Sequence, residues 1–210
     1  VEEALAWLPK SSPGGRVLRY NFGLVAMDSG RLDIVEGNMA ELLREYLVEM
    51  GLTVADLVAS NPAELFARFG LGRRTDELRH AADCCFVLGL ISQKKNMAPT
   101  LEFLWAMKLY DMANAPTSTF RAAVEVVDQL LWSRLAPAPQ EAVQLLESSI
   151  LPAMEQRGLV EHFMELRSLY AVALACVERY ADARAVLQAL RPFHSGLDAQ
   201  DRAVTERRAA

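Results

Sequence analysis

Apolar residues recur at intervals of three and four along almost the whole chain, and no sustained stretch alternates apolar and polar positions with the period of two that a half-buried strand requires. The pattern predicts an all-α fold. Ser12-Pro13-Gly14-Gly15 opens a helix to about Asp28 that Ser29-Gly30 closes, with Gly14-Gly15 after Pro13 reading as a break before the helix. A second helix, from about Leu32 to Met50, stops at Gly51 and completes a hairpin. Thr53 caps a short helix to Ser60, and Asn61-Pro62-Ala63-Glu64 opens another. After Gly70-Leu71-Gly72, helices are expected from Thr75 to about Lys94 and from Thr100 to about Ala113. Further helices are expected over about 117–135, 139–156, 159–179 and 181–191, with a polar one over 197–210. Pro152 is expected to kink or shorten the helix in which it falls.

The hairpins repeat. Gly89, Leu130 and Ala171 are spaced by 41 residues, and in that register Ala81, Ala122 and Phe163 coincide, as do Leu101, Ala142 and Ala183. Leu104, Leu145 and Val186 also align, and so do Trp105, Leu146 and Leu187, so the apolar face recurs in both helices of each pair. A single two-helix unit has more apolar surface than it can bury alone, and stacking on its neighbours covers that surface. The stacking contacts are then the main favourable term, at about 25 cal/mol per Å² of apolar area removed from water. Small residues at Gly23, Gly89 and Ala171 allow the paired helices to approach closely. An irregular helical bundle is the alternative architecture for the same composition.

Phe22-Gly23, Ala26, Gly30, Leu32 and Met39 in the first hairpin, and Tyr170-Ala171, Leu174, Tyr180, Ala183 and Leu187 in the last, resemble the tetratricopeptide repeat family. The Leu88-Gly89 unit matches in its first helix, and the resemblance covers about two thirds of the chain. The period exceeds the family's usual length of about 34 residues. Arg19, Cys85 and Arg167 stand where the family carries a large aromatic residue, and no unit has the closing proline. The resemblance implies stacked antiparallel hairpins forming a right-handed α-solenoid of the long-helix kind. The whole of 1–210 would then be one domain, with a break in register near 52–74.

Composition narrows the function. The chain has 22 Lys and Arg against 27 Asp and Glu, a formal charge of −5, which argues against a dedicated nucleic-acid binder. Its 52% apolar content suffices for a large core, whereas its longest dense apolar run, Cys84 to Ile91, falls well short of the roughly 20 residues a membrane-spanning helix needs. The N-terminus, Val1-Glu2-Glu3, has no secretory pattern and no initiator methionine, which is the expectation for a processed product or an excised domain. Three cysteines make no disulfide framework: Cys84 and Cys85 are adjacent in a helical pattern, and Cys176 sits in an apolar stretch as a small buried hydrophobe. Reduced thiols imply a cytoplasmic or other reducing compartment.

No constellation for catalysis stands out, and no cofactor or metal is expected. His80, His162 and His194 have no metal-ligand spacing; Asp76 with His80, and His162 with Glu165, read as surface pairs on helices. No phosphate-binding glycine motif occurs. Arg73-Arg74, Lys94-Lys95 and Arg207-Arg208 are short basic clusters expected to face water or an acidic partner.

If the hairpins stack as in the tetratricopeptide family, the first helix of each pair lines a concave surface. The lining then falls at Tyr20, Leu24 and Met27, at Phe86, Leu90 and Lys94, at Val127, Leu131 and Arg134, and at Ser168 and Val172. Such a groove suits an apolar or amphipathic segment of another protein. The alternative is that neighbouring helices of this chain cover the same side chains. The expected function is a non-catalytic interaction module, a scaffold or adaptor. A ligand- or partner-sensing helical domain of a larger regulator is the second reading, and an enzyme with an illegible site the third.

Overall fold

The computed structural model describes residues 12–59, 64, 65, 67, 74–133, 137–158 and 163–194. Among them all regular structure is helical: α1 (Pro13–Asp28), α2 (Leu32–Met50), α3 (Val54–Ala59), α4 (Thr75–Lys94), α5 (Thr100–Met112), α6 (Pro116–Trp132), α7, α8 (Phe163–Cys176) and α9 (Tyr180–His194). Helix α7 joins three segments, Pro139–Leu145, a π-helical turn Leu146–Ile150, and Leu151–Arg157. No described helix is long and apolar enough to cross a membrane. Residues 197–210, where a polar helix is expected, lie outside the described residues, as do 60–63, 66 and 68–73.

Local chemistry sets the helix ends. Ser12 Oγ accepts the Gly15 N–H at 3.1 Å while Pro13 occupies the first turn, where its missing N–H costs nothing. Gly51 takes a left-handed conformation (φ +72°), which brings the Leu52 N–H onto the Leu47 carbonyl at 2.8 Å and satisfies a terminal acceptor. Asn96 and Asn114 close α4 and α5 in the same way, with Met97 donating to Ser92 and Ala115 to Tyr110. Asparagine tolerates this conformation because its short polar side chain bonds locally.

Pro152 does not shorten its helix but is accommodated by a π-helical turn. It offers no N–H to the Ser148 carbonyl, and in a regular α-helix its ring would press on that oxygen. The turn before it widens instead, with the Leu151 N–H donating to Leu146, five residues back, and the helix runs on to Arg157 before Gly158 (φ +62°) ends it.

Contacts divide the chain between Ala115 and Pro116 into two compact units. In the first, α1 packs on α2, α2 on α4, and α4 on α5, while α3 rests against α5. Helices α2 and α4 carry most of its core, with Val35, Met39, Leu42, Leu78, Ala81, Ala82 and Cys85 fully buried. Lys108 Nζ donates to the Leu57 carbonyl at 2.9 Å, fixing α3 to α5. In the second unit α8 is central and packs against α6, α7 and α9. Leu166, Ala173 and Leu174 of α8 are buried, as are Ala142, Leu146 and Met154 of α7. Two pairs of helix starts keep the sequence period, Thr75 and Pro116 being 41 residues apart, as are Pro139 and Tyr180, whereas Thr100 and Pro139 are 39 apart.

Candidate functional site

Between Ala81 and Ser92 helix α4 is largely buried, with Asp83, Leu88 and Leu90 half-buried, and the buried Val87 interrupts its most open side. Asp76, Arg79, His80 and Lys94 are exposed, and helical geometry places them along that side with Asp83 and Leu90. Phe86 lies at the edge of this side, almost wholly buried, with its ring 5.4 Å from that of Phe103. On α1, Tyr20, Leu24 and Met27 form a half-buried line. On α8, Ser168 and Val172 are half-buried and share a side with Met164 and Ala175. Helix α6 differs: Val127 and Leu131 are buried, and its open side carries Thr117, Arg121 and Trp132 instead. Arg134 lies outside the described residues. In the first unit Tyr20, Leu24, Met27, Leu90 and Lys94 retain open surface and Phe86 does not; in the second unit Val127 and Leu131 of α6 are buried.

A polar feature escapes the sequence pattern. Arg16 and Arg19, on the inner side of α1, meet Glu41, Glu45 and Glu49, spaced four apart on α2. Arg19 is only 4% exposed, with its Nη2 2.6 Å from Glu45 and its Nη1 3.4 Å from Glu41. Arg16 reaches Glu45 and Glu49, and its guanidinium lies 5.0 Å from the centre of the Tyr46 ring. Tyr46 in turn stacks on His80 of α4 at 5.5 Å. Arg74, just before α4, donates to the Glu49 carbonyl. The signal available in the sequence was the two spacings, three on α1 and four on α2, but nothing local says that they face each other.

These groups are paired or shielded. Burial pushes the Cys84 thiol up to about 12, with the Asp83 charge adding to the effect and Arg19 opposing it. Burial likewise pushes the Tyr46 phenol up to about 12, against the pull of Arg16. Both therefore stay protonated at neutral pH and are poor nucleophiles. Cys85 is buried and its thiol is also pushed up by burial. Tyr110 Oη donates to Asp83 at 2.6 Å, which occupies one carboxylate oxygen on the open side of α4.

The remaining sequence candidates separate. His80 stacks on Tyr46, a contact between helices that the Asp76–His80 spacing did not suggest. Cys176 is exposed, not buried as expected: it stands at the last residue of α8, where the helix ends and its apolar sequence neighbours no longer surround it. Lys95 is tied to Asp33 at 2.6 Å and Glu36 at 2.7 Å, whereas Lys94 faces outward. Arg73, His162, Arg207 and Arg208 lie outside the described residues. Among the described residues no group of three His, Cys, Asp or Glu side chains could hold a metal ion.

No protein-family model matches the chain, and neither does any curated protein or solved structure. The first unit combines a largely polar open side of α4, carrying Leu90, with the charged α1–α2 seam.

Proposed function

We propose that the chain is a non-catalytic protein-interaction module built like a degenerate, long-helix tetratricopeptide array, and that it receives an apolar or amphipathic segment of another protein. The open side of α4 carries this reading. A helix that buries Leu78, Ala81, Ala82, Cys85, Gly89 and Ile91 yet leaves Leu90 half-buried between Asp83 and Lys94 has the cross-section of a groove-lining helix. Tyr20, Leu24 and Met27 give α1 a comparable side. The 41-residue spacing of two pairs of helix starts and the sequential packing of neighbours agree with a repeat array. An amphipathic helix recognised in this way would present anchors at three- and four-residue spacing to Leu24, Met27 and Leu90, with its polar side outward.

Affinity capture from the source cell, run in parallel with Leu24→Asp and Leu90→Asp, tests the proposal. Because both leucines are half-buried, the variants are expected to keep the wild-type circular dichroism with a lowered melting temperature, and binding is compared below that temperature. A specific partner retained by the wild type and lost from both folded variants is the expected result. Retention by both folded variants, or the lack of any saturable partner, would overturn it.

A further inference from the structure

The fully buried residues of α1 are Gly15, Arg19, Gly23 and Ala26, while its larger apolar side chains, Leu18, Phe22, Leu24 and Met27, are only half-buried. The large fully buried side chains against Gly23 come from α2, where Met39 and Val35 lie. Helix α1 supplies its own hold through Arg16 and Arg19 on the Glu41, Glu45 and Glu49 ladder, with Tyr46 beneath Arg16 and the Cys84 thiol near Arg19. Glu41 and Glu49 are 46% and 44% exposed, so water and salt reach the outer part of this ladder. A turn at Ser29–Gly30, with Gly30 at φ +74°, joins α1 to the rest of the unit.

We infer that α1 is a detachable helix whose hold on α2 depends on the charged ladder, its larger apolar side chains being only half-buried. It opens independently of α4 and α5, pivoting at Gly30, and ionic strength sets how often. Opening uncovers Val35 and Met39, which are otherwise fully buried, and so creates a second apolar surface on α2. The inference does not depend on the groove proposed above. It follows from the difference between the two faces of one seam: the fully buried positions of α1 are small residues and one arginine, whereas those of α2 are bulky apolar residues flanked by carboxylates.

Hydrogen exchange of the full chain, read by mass spectrometry at fixed pH, tests it. Raising salt from about 0.01 M to about 1 M shortens the screening length from about 30 Å to about 3 Å. Amides of 13–28 should then exchange about tenfold faster, while those of α4 and α5 change less than about twofold. Glu45→Gln removes the carboxylate shared by both arginines; it should speed exchange of α1 at low salt and abolish most of the salt response. Arg19→Met, which keeps the volume of the side chain, should weaken the salt response in the same way. Equal acceleration of every helix by salt, protection of α1 equal to that of α4 in both conditions, or an unchanged salt response in both variants would overturn the inference.

Discussion

The α1–α2 seam and the α4–α5 seam are built on the same device and finished with different chemistry. Each places a glycine of its first helix against a large side chain of the second: Gly23 against Met39, Gly89 against Phe103. In the α4–α5 seam the surroundings are dry. Phe103, Ala106 and Leu109 are fully buried, and Phe86 packs its ring at 59° to that of Phe103. In the α1–α2 seam the surroundings are a ladder of two arginines and three carboxylates, partly open to water. A close-approach glycine sets how near two helices can come. It does not set how firmly they hold, which depends on what fills the space beside it.

The largest effect should follow from emptying the dry seam. Phe103→Ala removes the ring that fills the space above Gly89, and large-to-small changes of this kind cost about 3–5 kcal/mol. Urea unfolding measures it, and a loss below about 1 kcal/mol would show that this seam is not the firm one.

A glycine pair sharpens the comparison. A methyl group at position 89 would stand 2.6–2.8 Å from three atoms of the Phe103 ring, which is buried and cannot swing away. Gly89→Ala should destabilise by about 1–2 kcal/mol, overpacking outweighing the gain in helix propensity. At position 23 the methyl meets the flexible end of Met39, so Gly23→Ala should stay within about 1 kcal/mol of the parent. Equal costs at the two positions would contradict the distinction between rigid and yielding partners.

The smallest effect, and the most local, comes from two adjacent thiols. Cys84 feels the charges of Arg19 and Glu45, whereas Cys85 feels that of Glu102 on α5, so α4 carries one reporter toward each seam. Burial raises both thiols, so at pH 8 little thiolate forms and native labelling is slow. In a Cys176→Ser background, which removes the exposed thiol, single-cysteine variants should show Cys84 labelling before Cys85, with salt speeding Cys84 alone. A reversed order would place the weaker seam on the α5 side.

Much of the helical layout was legible because it is encoded locally. Ser12-Pro13 and Gly51 mark helix ends through capping hydroxyls, a missing N–H and a left-handed turn, all of which act within a few residues. The periodicity at Thr75–Lys94 identified a helix with the observed bounds. Which of the candidate lining side chains stay open was not legible. Leu24 and Leu90 retain open surface, but Val127 and Leu131 follow the same apolar spacing and are buried, because apolar spacing marks a face without saying whether anything covers it. Cys176 illustrates the converse, with an apolar neighbourhood in sequence and an exposed place at a helix end.

By itself, then, the sequence determined most of the described helices, several of their ends and the small residues at Gly23 and Gly89 where helices come close, since each depends on short-range sterics and hydrogen bonding. Only the tertiary structure decided that Arg16 and Arg19 meet Glu41, Glu45 and Glu49, that His80 stacks on Tyr46, and which apolar side chains stay open. Pairing across a seam depends on the rotation of each helix about its own axis. That rotation is settled by the sum of all packing contacts, which no local pattern records.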